Sequence, residues 1–557
     1  MPDHPTDLDD ATTGSQTRDA PKGSLERAKA TGRLLIHHIV KHTGVGIVCS
    51  VAYFDPGNWG VDLQAGSQFG YKLLFVVLLA GLFAVFLQVL AARLGCVTGV
   101  DLASHCRLLL HSRPKHTLWY RWLGLYPLYV LSEVAIVATD LAELLGSAIG
   151  LCLLFPKLQL WHGVLITAGD VIFILALNDP LRGRPVRMFE VLIGVLVLAV
   201  LVCMVVIISR IEVNWGQAFD GFIPSKYIFA PGALYTSVGI LGATVMPHSL
   251  FLGSTLATQD RVSSAWKSRY PPSESSRSSS QVTILGPRPR RQRAIQAIKE
   301  YLSTPFRTPP PNTFPTRAQR YEDRENNSFE FISAHIYHGM VDMMLSLLGF
   351  AVMINALILV LASAVFYYGT GVTASGGSGG SGGPASLFDA YDLVKELVGQ
   401  GAATLFAIAL LAAGQSSSLI ATVAGQAVSE GFLNWRVSPA LRRILTRLLA
   451  VIPSMTVAIL MGRPGIDTLL VASQVVLSVT LPFVTFPLIY CTSSKAIMSV
   501  RKPRTVDSLS DESVVEEADD EMINFSSGWV MTGIGAVIWL IVVAANAYML
   551  ISLMIGG

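Results

Sequence analysis

Eleven long apolar runs limit what this chain folds into. They lie at 44–68, 72–94, 119–149, 161–178, 187–209, 232–256, 339–368, 398–429, 442–461, 466–493 and 528–555. A helix of about 20 apolar residues covers the hydrocarbon core of a bilayer. No open sheet spans lipid, because its edge groups find no partner there. The expected class is therefore an all-α polytopic membrane protein with about 11 transmembrane helices. Charged residues make up only 14% of the chain, against about 25% in soluble domains. That balance excludes a soluble enzyme, a nucleic-acid binder and a disordered protein.

Lys and Arg set the orientation. They collect after even-numbered runs: Arg107, Arg113, Lys115 and Arg121; Arg182, Arg184 and Arg187; Arg436, Arg442 and Arg443; Lys495, Arg501, Lys502 and Arg504. Thirteen more fall in 257–330, whereas 369–385 has none. The positive side is expected to be cytoplasmic and to carry the N-terminus. The expected division is a mostly disordered cytoplasmic tail at 1–43, spans one to six at 44–256, a disordered cytoplasmic loop at 257–338, spans seven to ten at 339–495, a charged cytoplasmic loop at 496–527, and the eleventh span at 528–557. Three segments read as disordered: 1–30 is polar, 257–330 is rich in Ser, Pro and Arg, and 505–523 is acidic. GGSGGSGG at 376–383 has the composition of a flexible linker. Residues 1–33 lack the apolar core of a secretory signal. The six cysteines form no CxxC pair and read as buried packing residues.

Two of the runs are interrupted. The first reads GVGIVCSVAYFDPGNWGVDLQAG and the sixth SVGILGATVMPHSLFLGS. Proline removes a backbone donor and clashes with the preceding turn. Asp55-Pro56-Gly57-Asn58 and Met246-Pro247-His248-Ser249 should each unwind a helix near its middle. Matching interruptions in two halves of a membrane chain point to a transporter binding site. Breaks in spans one and six imply a five-plus-five repeat with an added eleventh helix. Asp55 supplies a negative charge and Asn58 an amide oxygen; the freed carbonyls of Ala52 and Ala243 add oxygens at negative half-helix ends. Met246 adds a thioether, a poor ligand for Ca²⁺ or Mg²⁺ and a fair one for later transition metals. The set favours divalent Mn, Fe, Co or Cd.

DPGN in span one, MPH in span six and GQSSSLIATVAGQAVSEGFLNWR at 414–436 resemble the Nramp (natural resistance-associated macrophage protein) divalent metal transporters. VATDLAE (137–143), LTRLLAVIPS (445–454) and SQVVLSVTLPF (473–483) extend the resemblance from about 44 to 555. MPHS followed by FLGS, in place of the more usual MPHN, is similar to the fungal Smf-type manganese transporters; Ser249 there exchanges an amide for a hydroxyl. The resemblance implies a LeuT-like inverted-repeat fold, metal ligation by Asp55, Asn58, Met246 and the carbonyls of Ala52 and Ala243, a contribution from Gln474 on span ten, and entry of metal together with protons.

Span three carries Glu133, Asp140 and Glu143. Their spacing places them near one helical face, and ionisable side chains at that depth face the bundle interior. Stacked carboxylates repel, which suits a proton relay; Arg447 on span nine is the candidate partner. The resemblance places these residues in a proton pathway. His248 at the second break reads as a ligand, a proton acceptor or a hydrogen-bonding group, and the resemblance gives the metal to Met246 instead. Asp170 and Asn355 are expected to satisfy hydrogen bonds between helices. Gln415 and Ser416–Ser418 are expected on span eight, facing span one in support.

The resulting expectation is a proton-coupled importer of divalent transition metals working by alternating access. It uses no enzymatic cofactor, with the metal ion and H⁺ as substrates. It resides in the plasma membrane or an endosomal or vacuolar membrane, and regulatory proteins are possible partners of its cytoplasmic tail and loops. The alternatives are a Mg²⁺ or other cation or solute symporter of the same fold, and a transporter-like metal sensor. An intramembrane enzyme finds no support in the motifs: there is no HExxH and no nucleophile with a clear base.

Overall fold

The computed structural model describes residues 44–169, 187–230, 232–261, 321, 324–369, 385–434, 439–502 and 522–555. The first apolar run is split into α1 (Val45–Val51) and α2 (Pro56–Phe69). A 3-10 turn at Gly70–Leu73 leads into α3 (Leu74–Thr98), and α4 (Leu102–Leu110) follows. The third run is α5 (Tyr126–Leu154), reached through a π turn at Tyr120–Leu125. α6 (Leu160–Ala168) begins the fourth run and α7 (Arg187–Ile208) forms the fifth. The sixth is again split, into α8 (Ala233–Thr244) and α9 (Pro247–Leu256). The seventh comprises α10 (Phe329–Ser346) and α11 (Met353–Ala362), joined by a π turn. After α12 (Leu387–Leu397) come α13 (Gln400–Leu433), α14 (Pro439–Leu460), α15 (Gly462–Ser493) and α16 (Trp529–Ile555).

Eight helices among the described residues are long and apolar enough to cross a membrane. They cover nine of the expected runs, because α2 and α3 are joined through the Gly70–Leu73 turn. The ninth run is α14, which carries Arg442 and Arg447. The rest of the fourth run, with Asp170, lies outside the described residues. So do residues 1–43, nearly all of 262–323, the Gly/Ser stretch at 376–383 and most of the acidic segment.

Several elements differ from the sequence expectation, among them α4, a helix in the loop expected after the second run. α10 starts at Phe329, ahead of the expected 339, with Ser328 capping it through a bond from Phe331 N–H at 3.3 Å. Its first turns carry Glu330, Ser333, His335 and His338, so they are helical without being an apolar run. α12 was not expected; it is short, amphipathic and capped by a Ser386–Asp389 box. In the loop at 496–527, β1 (Ser499–Arg501) pairs antiparallel with β2 (Met522–Asn524). Three-residue strands are too short for an alternating pattern to show.

The broken helices sit at the centre. α8 and α9 are buried nearly throughout, while α7 and α16 turn Val195, Leu198, Val537 and Leu540 outward. An outward apolar surface is what lipid requires. α5 and α13 run together over small residues: a Cβ on Gly150 would lie 3.0 Å from Leu411 N, and one on Gly414 2.2 Å from Ser147 Oγ. Such seams let helix backbones approach closely in membranes. All six cysteines are buried and none is disulfide-bonded, as the sequence suggested.

Candidate metal-binding site

Each break follows from the position of one proline. In an α-helix the carbonyl of residue i accepts from the N–H of i+4. For Ala52 that donor would be Pro56, and for Ala243 it would be Pro247. Neither proline has an N–H. Both carbonyls are thereby freed at the same position relative to the break, and α2 and α9 each restart with proline as the first helical residue.

The two breaks meet. Asp55 caps α2, its Oδ1 accepting from Asn58 N–H at 3.0 Å and from Asn58 Nδ2 at 2.6 Å. The same Asn58 Nδ2 donates to the Ala243 carbonyl across the gap at 2.8 Å. One amide nitrogen thus bridges an oxygen of each broken helix. Met246 caps α9 from the other side and is fully buried, as are Asp55 and Ala52. Asp55 Oδ2 and Gln474 Oε1 are buried without a hydrogen-bond partner among the described residues. Gln474 reaches the site where Gly57 lacks a side chain: a Cβ there would fall 1.6 Å from Gln474 Nε2 and 2.9 Å from Asp55 Oδ2. The structure therefore brings Asp55, Asn58, Ala243 and Gln474 together, with Ala52 at the end of α1 and Met246 at the start of α9 buried at the two breaks. Among the described residues no cluster of three His, Cys, Asp or Glu side chains could hold a metal. A cation at the breaks would rely on one carboxylate, amide and carbonyl oxygens, and a thioether.

A polar shell holds the breaks. Asn355 Nδ2 donates to Tyr53 O at 2.7 Å and to Asn58 Oδ1 at 3.4 Å, the interhelical role expected of it. Tyr53 Oη lies 2.7 Å from Ser249 Oγ and 3.1 Å from Gln88 Oε1. Ser249 Oγ donates to Met246 O at 2.8 Å, and Gln88 Nε2 to Ser249 O at 3.2 Å. The hydroxyl that replaces the usual amide therefore fixes the backbone of the second break. A lone Tyr or Gln in an apolar run carries no sequence signal, so the roles of Tyr53 and Gln88 emerge only from the fold.

Each of the three carboxylates of α5 meets a partner of its own. Glu133 pairs with Arg442 Nη2 at 2.7 Å, Asp140 with Arg447 Nη1 at 2.5 Å, and Glu143 Oε1 accepts from Ser417 Oγ at 2.5 Å. Arg447 is the partner expected for Asp140, and it also bonds Ser418; Arg442 was not expected. Gln415 donates to Ser147 Oγ at 3.3 Å. Gln415 and Ser417 thus meet span three and Ser418 meets span nine, where the sequence suggested span one; the close α5–α13 seam brings the first two there. His248 leans on α5 as well, Nδ1 lying 3.2 Å from Thr139 Oγ1, the residue before Asp140. Its Nε2 has no partner among the described residues. Pro56 packs onto α5 at Gly146, where a Cβ would lie 1.9 Å from Pro56 Cβ. Both breaks therefore rest on the helix that carries the carboxylates.

Known proteins match along most of this chain. The family model described as "Natural resistance-associated macrophage protein-like" matches residues 46–286 and 309–509. The manganese transporter pdt1 of Schizosaccharomyces pombe is 38% identical over 94% of this chain and 87% of its own length. The iron transporter SMF3 of Saccharomyces cerevisiae is 35% identical over 94% and 98%. A solved manganese transporter of Eremococcus coleocola superposes with a TM-score of 0.64 at 28% identity, covering 96% of this chain and 89% of that one. With its two proline-broken helices converging and its sequence matched over most of its length, the chain belongs to the Nramp family of membrane transporters.

Proposed function

We propose that this protein is a proton-coupled secondary transporter that imports divalent transition-metal ions, Mn²⁺ first, with Fe²⁺, Co²⁺ and Cd²⁺ as further substrates. The observation that carries the reading is the Asn58 amide nitrogen, held between Asp55 Oδ1 and the Ala243 carbonyl. A partial positive charge sits where two oxygens from two broken helices converge. A divalent ion replaces it when the carboxamide turns and presents Oδ1 instead. Asp55, the Ala52 and Ala243 carbonyls, Asn58 and Met246 then form a mixed oxygen and sulfur shell, with Gln474 joining from α15. Thioether sulfur favours softer ions over Mg²⁺ and Ca²⁺, and the named manganese and iron transporters among the relatives support that choice.

Protons take the α5 side. His248 and Thr139 link the second break to Asp140, whose pair with Arg447 holds a charge in the membrane interior. Glu143 lies on the same helix as that pair, near the first break. Metal and protons move inward together as α1, α2, α8 and α9 rock against the remaining helices. The N-terminus and the basic loops are placed in the cytoplasm, with regulatory proteins as partners of the tail and loops. The membrane of residence is the plasma membrane or an endosomal or vacuolar one.

The test is uptake into proteoliposomes under an imposed pH gradient, inside alkaline, with a panel of divalent ions. Mn²⁺ uptake that rises with external acidity and resists excess Mg²⁺ is the expected result. Mg²⁺ uptake in preference to Mn²⁺, or no dependence on the proton gradient, would refute it.

A further inference from the structure

Most buried carboxylates in the described spans meet a donor. Asp140 has Arg447, Glu143 has Ser417, Glu190 has Arg261 at 2.6 Å, and Asp342 accepts from Gly46 N–H at 2.7 Å. Asp62 is the exception. It is 1% exposed, and its Oδ2 has no hydrogen-bond partner among the described residues. A carboxylate inside a membrane protein is costly and marks function more often than packing.

Its position follows from its neighbours on α2. Asn58, one turn earlier, touches Ala243 of α8 and Asn355 of α11. Val61 packs where Gly239 of α8 lacks a side chain, and Gly66 abuts Leu359 O and Ala362 of α11. Helical rotation puts Asp62 between them, over the seam of α8 and α11. Those helices read ALYTSVGILGAT and MINALILVLA, without a Lys, Arg, His, Asp or Glu. Beyond the seam, Lys72 in the turn after α2 is directed to the Tyr227 and Tyr367 rings, 3.8 and 5.7 Å away. Asp55 is the other carboxylate on this face, seven residues back and about 10 Å down the helix axis at 1.5 Å per residue.

A divalent ion held at the breaks by Asp55 and neutral ligands keeps one uncompensated positive charge. That excess charge in a low-dielectric interior is strongly unfavourable unless a countercharge lies near. We propose that Asp62 is that countercharge: Asp55 ligates the transported cation, and Asp62, without touching it, balances its second charge across the buried core. The proposal rests on the reading of the breaks as a divalent-cation site. Asp62 is then a positioning residue for charge selectivity. A monovalent ion is already neutralised by Asp55, so Asp62 favours divalent over monovalent cargo. At about 10 Å and an effective dielectric constant of about 20, its attraction for a double charge corresponds to an affinity gain on the order of a hundredfold.

The experiment measures the Mn²⁺ concentration that half-maximally raises the thermal midpoint of the full-length purified protein, with liposome uptake alongside. For Asp62→Asn the midpoint without metal stays at or above that of the unaltered protein, because a lone buried carboxylate is gone. The Mn²⁺ requirement rises by about a hundredfold. Asp62→Glu, which keeps the charge, stays within several-fold of the unaltered protein. Asp62→Ser removes the charge in a smaller side chain and serves if the Asn variant does not insert. A charge-removing variant with an unchanged Mn²⁺ requirement overturns the proposal. So does equal loss in the Glu and Asn variants, which would make Asp62 a packing residue. Failure of the underlying reading shows differently: the unaltered protein itself would gain no stability from Mn²⁺.

Discussion

Gly146→Ala separates the geometry of the breaks from the identity of their ligands. Gly146 lies on α5 and touches no proposed ligand, yet its Cβ would sit 1.9 Å from Pro56 Cβ and 2.2 Å from Pro56 Cγ. Non-bonded carbons come to rest at about 3.5 Å or more, so the helices must part by roughly 1.6 Å. A proline ring cannot rotate aside, and Pro56 is the first residue of α2. The displacement therefore passes to Asp55 and Asn58, and stretches the 2.8 Å contact between Asn58 Nδ2 and Ala243 O. Metal coordination tolerates about 0.2 Å, and a misplacement of about 1 Å costs on the order of a hundredfold in a positioned site. The overpacking itself costs about 1–3 kcal/mol, which a folded protein survives. Mn²⁺ uptake in proteoliposomes should fall about a hundredfold, with the protein still monodisperse and helical. Gly339→Ala on α10, where nothing lies within 4 Å of an added Cβ, is the control and should transport normally. Normal uptake by Gly146→Ala would mean that α5 does not hold the first break against the second, and that the site is not built as described.

Three further substitutions test the ligands and the relay. Asp55→Asn should abolish Mn²⁺ uptake in vesicles while leaving insertion intact; normal uptake would remove Asp55 from the site. Met246→Ala should let Mg²⁺ or Ca²⁺ compete with Mn²⁺ or Cd²⁺, and unchanged discrimination would show that the thioether sets no selectivity. Asp140→Asn removes the carboxylate that pairs with Arg447, so uptake should lose its stimulation by external acid and stability should drop by about 3–5 kcal/mol, as for other broken buried pairs. An unaltered pH profile, read by ⁵⁴Mn uptake across a range of external pH, would count against a proton role for this pair.

How much of this was legible beforehand depended on whether the physics was local. Proline at 56 and 247 acts within its own helix, so both breaks and both freed carbonyls could be placed from the chain alone. The long apolar runs likewise gave the spans. The partner of Glu133 could not be read that way, since Arg442 lies 309 residues further on. The facing of Gln415 and Ser417 is not legible for a similar reason: it depends on which seam of small residues closes, and Gly150 and Gly414 select α5. A single Asp amid GVDLQAG carries no motif, and that Asp62 Oδ2 meets no donor among the described residues appears only once α8 and α11 are packed against α2. α12 and the β1–β2 pair fell below the length at which periodicity declares itself.

On the function proposed above, the contacts with α5 would tie the metal site and the proton path into one machine. The first break reaches α5 through Pro56 on Gly146, and the second through His248 on Thr139. Thr139 and Gly146 are seven residues apart and so share a face, with Glu143 on the turn between them, held by Ser417. In the proposed transport cycle, a half-helix that moves to release an ion would slide along this face. It thereby changes what surrounds Glu143 and the Asp140–Arg447 pair, without any contact between ion and carboxylate. Coupling of this kind needs two discrete seatings of the half-helices on a rigid support. The close α5–α13 seam supplies the rigidity, and the two proline gaps supply the freedom to move. A substitution that loosened the seam without touching a ligand, such as Gly414→Val against Ser147, should therefore weaken the dependence of metal uptake on protons more than it weakens metal binding. Equal losses in both would place the coupling elsewhere.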